Sequence, residues 1–416
     1  MAESKEIGDN VEIKGINLEK VEAISNLKRE DSWVRDFRLD SFKKFEKLAM
    51  PSFGPKINLN FDDIIYYKSN SSDDKIKDDW NNVLKPVVDE LDSLGVLESE
   101  KHLGGMGVQY ESEVIYHKMI EELEKKKVVF TSIEMAMKNY PELVKKYFGK
   151  IVNNAENKFA ALNGAVFSGG SFIYIPPNTT LDRPLQSYFR INSKNMGQFE
   201  RTLIIVDDNS HLHYIEGCTA PTYSESSLHA AVVEIYVGKN SSCRYSTIQN
   251  WAPNVYNLVT KRALVDDNGV MEWIDGNIGS KVTMKYPCCV LKGDNSSGTC
   301  ITISVASSGQ EQDSGARMIH LGKNTKSNIV SKSIARNGGN ATYRGKAFIS
   351  NTAVNSIANV KCDTLILDDL SKSDTIPVNS CFNKTSSIEH EATVSKISED
   401  NLFYLMSRGI SRERAM

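Results

Sequence analysis

The chain has 416 residues, 40% hydrophobic and a quarter charged, with a formal net charge of −3. That length calls for two or three packed regions or one elongated array, and the small net charge excludes long-range attraction to nucleic acid or an anionic membrane. No segment approaches the roughly 18 to 20 apolar residues needed to span a bilayer, the N-terminus "MAESKEIGDNVEIKG" has no signal-peptide core, and seven cysteines without a CxxC pair argue against a secreted disulfide framework or a structural zinc site.

The expected location is therefore the cytoplasm, or a plastid-type organelle if a transit peptide has been removed, with reduced thiols. Residues 1–155 read as mixed and mainly helical. "SEVIYHKMIEELEKKK" and "SIEMAMKNYPELVKKYFGKIV" place apolar residues three and four apart. "LAMPSFGPKINLN", with Pro51 and Pro55, reads as a connector.

Over 156–397 the texture changes to short β-branched runs separated by Gly, Asn, Asp and Ser, with no convincing amphipathic helix. "LIIVDDNSHLHY", "EIYVGKNSSCRY", "RALVDDNGVMEW", "CVLKGDNSSGTC" and "MIHLGKNTKSNI" share an apolar triplet, a polar turn and a second strand. Their asparagines, Asn209, Asn240, Asn268, Asn295 and Asn324, recur at intervals of 31, 28, 27 and 29 residues. Asparagine tolerates the left-handed backbone of a sharp corner, so the period predicts one corner stacked coil upon coil, a β-helix-like solenoid. A sandwich of coincidentally similar hairpins is the alternative. Residues 398–416 turn helical again, opening on Ser398 as N-cap with Gly409 as stop. The last short helix is too brief to hold itself together, which suggests a truncated C-terminal helical region.

No phosphate-binding loop is present, since "GDNSSGTC" lacks the required Lys and Ser/Thr. Near the end, Glu389, His390 and Glu391 stand in a row inside a strand-like run. They read either as solvated surface charges or as ligands; in a strand both glutamates face one way and His390 the other, so the triplet supplies at most part of an iron site. Cys218, after Gly217 and before a proline loop, reads as a reachable thiol. Cys362 opens an apolar strand beside Lys361, although strand neighbours point apart. Cys288 and Cys289 face opposite ways, and Cys243, Cys300 and Cys381 read as packing or surface residues. Arg190 with Asn192, and Gln249 with Trp251, have same-face strand spacing. Lys261 is a candidate buried cation beside a thiolate or persulfide. Outward-facing polar residues are the competing reading for all of these.

"QYESEVIYH", "YPELVKKYFG", "NKFAALNGAVFSGGSFIYIP", "FERTLIIV", "YIEGCTAP", "LHAAVVEI", "QNW", "VTKRA" and "IEHEATVSKISEDNLFYLMSRGIS" occur in order between about 105 and 411. Together they resemble the SufB/SufD family of iron–sulfur cluster assembly proteins of the SUF system, its SufB branch in particular. The resemblance implies a right-handed parallel β-helix core flanked by helical regions. It implies a non-enzymatic scaffold that works with the separate ATPase SufC, with SufD or a second copy of itself, and with a cysteine desulfurase or sulfur-transfer protein. By motif, Cys218 is similar to the family's sulfur acceptor, and Arg190, Asn192, Gln249, Trp251 and Lys261 to its sulfur path. Cys362, Glu389, His390 and Glu391 resemble the assembly site for a transient iron–sulfur cluster, with reduced flavin a candidate electron donor that no motif here specifies. Two other readings stand beside this one. A SufD-like partner subunit would lack Cys218 and the Glu-His-Glu triplet, and a β-helix polysaccharide lyase would want a signal peptide and a carboxylate-rich groove.

Overall fold

The computed structural model describes residues 11–69, 76–222 and 226–415. Its core is a β-solenoid of about eight turns, built from two long sheets whose strands pair almost entirely in parallel. The ten-stranded sheet runs from Glu113–Met119 and Gly105–Tyr110 through Leu185–Arg190, His211–Thr219, Ser242–Trp251, Val270–Gly279, Ser297–Ala306, Lys326–Ala335 and Ile357–Ile366 to Ser387–Lys396. The facing thirteen-stranded sheet includes Val129–Ser132, Ser171–Ile175, Arg201–Val206, Val232–Val237, Val255–Val265, Val282–Lys285 and Asn340–Ile349, with Lys372–Cys381 paired onto the last of these. Strands from 105 onward thus already belong to the solenoid sheets, ahead of the β-rich texture.

The periodic asparagines are the corners. All five have positive φ, from 54° to 58°, the left-handed conformation that asparagine adopts at little cost. Each side chain also donates to the one a coil below: Asn240 Nδ2 to Asn209 Oδ1 at 3.0 Å, Asn268 to Asn240 at 2.9 Å, Asn295 to Asn268 at 3.1 Å and Asn324 to Asn295 at 3.2 Å. A residue that tolerates the turn thereby also stitches one coil to the next.

Inside, the two-residue alternation of each strand and the in-register stacking of coils produce columns of side chains. One column of the ten-stranded sheet reads Tyr214, Tyr245, Trp273, Cys300, Ile329, Val360 and His390. The next reads Glu216, Thr247, Asp275, Thr302, Ser331, Cys362 and Ala392, and the third Cys218, Gln249, Asn277, Ser304, Ser333, Thr364 and Val394. The first is mainly apolar and holds the coils together, whereas the other two form a polar lane within a closed core.

Helices Leu18–Leu27, Ser32–Lys47 and Lys158–Val166 cover the outer face of the thirteen-stranded sheet near its start. Lys158–Val166 is the helix that sequence periodicity passes over. It is apolar nearly all round, with every residue after Lys158 buried, so it carries no amphipathic stripe. Its signal is the N-cap, where Asn157 accepts from the backbone N–H groups of Phe159 and Ala160. At the far end Ser398 accepts from the Asn401 N–H and Gly409 has φ of 82°, as expected of cap and stop.

Candidate functional site

Two places in the solenoid gather reactive groups, and the polar lane connects them. The first surrounds Cys218. The sequence context suggested a reachable thiol at a strand end; the strand does end one residue later, at Thr219, but its alternation turns Cys218 inward with Leu212, Tyr214 and Glu216. The side chain is fully buried. Burial, and then the Glu216 and Glu200 carboxylates, push its thiol well above the usual range, against the weaker opposing pull of Lys261 and Lys285.

Cys218 Sγ lies 3.8 Å from Glu216 Oε1 and 4.0 Å from Gln249 Nε2. Gln249 Oε1 accepts from Asn257 Nδ2 at 2.8 Å and from Lys285 Nζ at 3.1 Å. Lys285 Nζ is 3.2 Å from Asp275 Oδ1, and Lys261 Nζ is 3.9 Å from the same oxygen and 3.5 Å from Glu216 Oε1. Lys261 also donates to Thr247 Oγ1 at 2.8 Å and sits 4.4 Å from the centre of the Tyr245 ring. Two carboxylates and two ammonium groups are thus enclosed together. Burial pushes Lys261 down, but Glu216 and Asp275 outweigh it and hold the ammonium charged. Burial likewise raises Asp275, which Lys285 and Lys261 bring below the ordinary carboxylate range. For Lys285, burial prevails and its pKa is lowered.

Gln249 and Trp251 do share the inward face, and the Trp251 ring lies 4.7 Å from that of His229. His229 Nδ1 is 2.7 Å from Asn257 Oδ1, and Nε2 meets Glu200 Oε1. Burial works against the imidazolium, but the Glu200 carboxylate outweighs it and raises the histidine. Arg190 is placed differently. It has the opposite parity to the inward Phe189 and points out of the lumen, pairing with Glu90 through Nε at 3.1 Å and donating to Thr219 Oγ1 at 2.9 Å. Asn192 lies just past that strand and donates to the Tyr110 hydroxyl. The structure therefore brings Gln249, Trp251 and Lys261 around Cys218, with Arg190 and Asn192 on the outer side of the same sheet.

The second place is the open end. Cys362 Sγ and His390 Nε2 are 3.6 Å apart, and His390 Nδ1 is 3.2 Å from Asn379 Nδ2. Burial raises the Cys362 thiol and lowers the His390 imidazole, so the ring favours its neutral, metal-binding form. Glu389 and Glu391 face outward, as strand parity requires, and Lys361 Nζ reaches Glu391 Oε2 at 3.3 Å rather than Cys362. The two glutamates line an outer depression of about 360 Å³ together with Asn328, Asn359 and Lys361. Among the described residues no group of three or more His, Cys, Asp or Glu is positioned to hold a metal ion. Cys243, Cys289 and Cys300 pack in the core, Cys288 is buried on the outer side beside Arg262, and Cys381 is exposed.

Sequence reasoning missed Glu216, Asp275, Lys285, Glu200, His229 and Asn257. Glu216 was recoverable from the alternation of "HLHYIEGCT", whereas the others meet only through coil stacking.

The fold and these two places define a parallel β-solenoid with a charged internal lane and a thiol–imidazole pair at its open end. Its sequence agrees with one family throughout. Residues 189–416 match the model for the SUF system FeS cluster assembly, SufBD core domain, and residues 109–187 that for the SufBD protein N-terminal region. The chain is similar to an iron–sulfur cluster assembly SufBD family protein of Staphylococcus aureus strain MRSA252, 56% identical over 97% of this chain and 86% of the relative. It is similar to the iron–sulfur cluster assembly protein SufB of Bacillus subtilis, 54% identical over the same shares. The chain belongs to the SufB/SufD family of iron–sulfur cluster assembly proteins, on the SufB side. Among the described residues no helix is long and apolar enough to cross a membrane.

Proposed function

We propose that this chain is the scaffold on which a nascent iron–sulfur cluster forms, taking sulfane sulfur at Cys218 and combining it with iron at the open end. In the first step the Cys218 thiolate attacks the terminal sulfur of a donor persulfide. The new S–S bond forms as the old one breaks, and the electron pair leaves with the donor thiolate. A cysteine desulfurase or its sulfur carrier is the fitting donor. Reduction of that sulfur to sulfide then calls for two electrons from a separate donor, with reduced flavin one candidate.

The observation that carries this reading is the Cys362–His390 pair. A tetrahedral first-row ion with bonds of roughly 2.3 Å to sulfur and 2.05 Å to nitrogen holds the two donors about 3.6 Å apart, the separation the pair already has. Between it and Cys218 lie five coil steps, about 24 Å at the usual strand spacing. Thr302, Ser304, Ser314, Ser331 and Ser333 are buried along this interval, and Ser304 Oγ meets Ser314 Oγ at 3.0 Å. Asn277, in the same column as Cys218, has no partner for either amide atom among the described residues, as suits a wet passage rather than a packed core.

A single thiol and a single imidazole leave the metal coordination incomplete, and the end coil is itself uncovered. Ile376 and Val378 of Lys372–Cys381, Phe382 just after it and Val394 of Ser387–Lys396 are between 38% and 64% exposed. This end suits a second β-solenoid, SufD or another copy, which would add the remaining ligands, with Glu389 and Glu391 at the rim. The ATPase function falls to SufC as a separate cytoplasmic chain. The test is anaerobic reconstitution with iron, sulfide and these partners, following cluster absorbance. Cys362→Ala and His390→Ala should each lose most of the cluster; wild-type yield from both would remove the pair from the site.

A further inference from the structure

Lys285 enters the Cys218 neighbourhood from the opposite sheet, on the strand Val282–Lys285, and no motif or resemblance assigned it. An ammonium only donates hydrogen bonds. With Nζ 3.1 Å from one end of the Gln249 amide, that end must be the carbonyl oxygen, because the alternative sets donor against donor. Asn257 Nδ2 reaches the same oxygen at 2.8 Å, which agrees. The other end, the N–H group, is then fixed towards Cys218 Sγ, 4.0 Å away. On its other side the thiol faces Glu216 Oε1 at 3.8 Å. The sulfur thus has one acceptor and one donor, and Lys285 decides that the second is a donor.

We propose that Lys285 is a positioning residue for Cys218, holding the Gln249 amide so that its N–H rather than its carbonyl meets the sulfur. The inference rests on the reading of Cys218 as sulfur acceptor, and it explains how a site bordered by the Glu216 carboxylate accommodates an anionic persulfide. If Gln249 turned over, two acceptors would face that anion in a buried setting, where an unpaired charge is most costly. Lys285 itself is 1% exposed and reaches Asp275 at 3.2 Å, so its head group has little freedom to leave. The orientation passes on, since Asn257 is left with its carbonyl oxygen against His229 Nδ1 at 2.7 Å.

The test uses the full chain and two readouts. The side-chain ¹⁵N–H₂ resonances of Gln249, assigned by their loss in Gln249→Glu, report the orientation; persulfide on the Cys218 peptide after inorganic polysulfide, read by mass spectrometry, reports sulfur loading. Polysulfide gives one sulfane sulfur to the thiolate, and the electron pair of the cleaved S–S bond leaves with the shortened polysulfide. In Lys285→Met the Gln249 signals should shift or double and loading fall at least fivefold. Lys285→Arg, again donor-only, should return both towards wild type, and Lys285→Gln serves where the methionine variant does not fold. Unmoved Gln249 signals, or moved signals with unchanged loading, would overturn the proposal. Should Cys218→Ser bind as much sulfur as wild type while the Gln249 signals still respond to Lys285→Met, the assignment of Cys218 fails and the orientation by Lys285 stands.

Discussion

Replacing Lys261 by methionine tests whether the lane is a charged interior. The change nearly preserves side-chain volume, so the loss is electrostatic. At 3.5 Å from Glu216 and 3.9 Å from Asp275, an effective dielectric of about 20 gives attractions of roughly 4.7 and 4.3 kcal/mol. Burying the ammonium costs back much of that, but removing it leaves two carboxylates sharing only Lys285, and breaking such a buried arrangement costs about 3–5 kcal/mol. Urea unfolding followed by tryptophan fluorescence should show Lys261→Met less stable by that amount at pH 7. Adding Glu216→Gln removes one stranded charge and should restore about 2 kcal/mol, a coupling within the range for groups in contact. The variant's deficit should also shrink as pH falls below about 4, because Lys261 helps hold Asp275 below the ordinary carboxylate range and a variant without it has less of that stabilisation to lose on protonation. A cost under about 1 kcal/mol, or a penalty indifferent to Glu216→Gln, would refute the enclosed charge cluster.

Three further outcomes follow from the geometry. His320 is buried and His117 half-buried, and desolvation pushes both down to about 4, so unfolding favours their protonation. Their stabilisation is complete above about pH 6.5 and lost as pH falls towards 4, up to about 3 kcal/mol each; acid titration of His320→Asn should show a shallower decline than wild type. His229, with a raised pKa, acts oppositely, its contribution being lost as pH rises through its folded value. At the corner residue Asn268, φ is 54°; Asn268→Gly keeps the corner and loses only the two ladder bonds, about 1–2 kcal/mol, while Asn268→Ala adds about 1–2 kcal/mol of backbone strain to that loss, read by chemical unfolding. Of seven free thiols only Cys381 is exposed, so a bulky thiol reagent should modify one cysteine rapidly in the native state, and Cys381→Ser should abolish that phase.

The stacked corners were legible because one residue type serves both backbone and ladder at every coil, leaving a period of 27 to 31 residues in plain view. Same-face spacing also placed Gln249 with Trp251 and set His390 apart from Glu389 and Glu391. Three things were hidden. The helix Lys158–Val166 is covered on every side, so burial erased the stripe that would have announced it. The Cys218 context of glycine and proline does mark a strand end, at Thr219, but what it hid was the parity that turns the thiol into the core rather than towards solvent. Asp275 and Lys285 lie 10 residues apart on facing sheets, and their 3.2 Å pairing depends on the lumen width rather than on any spacing in the chain.

The open-end pair depends on the same register. Cys362 lies across from Ala392, and His390 across from Val360, so thiol and imidazole meet diagonally from two neighbouring columns. Each column keeps its identity because every coil from Ser242–Trp251 to Ser387–Lys396 pairs without a bulge along this sheet. A single-residue slip in Ile357–Ile366 would send Cys362 outward and Lys361 inward, while a slip in Ser387–Lys396 would exchange His390 for a glutamate. Register is protected where polar corners alternate with buried strand faces, and Ile388 packing against the core anchors the last strand on the correct side. The apolar column is therefore more than filler: Trp273, Ile329 and Val360 fix the phase of the coils, and that phase delivers His390 Nε2 to within 3.6 Å of Cys362 Sγ.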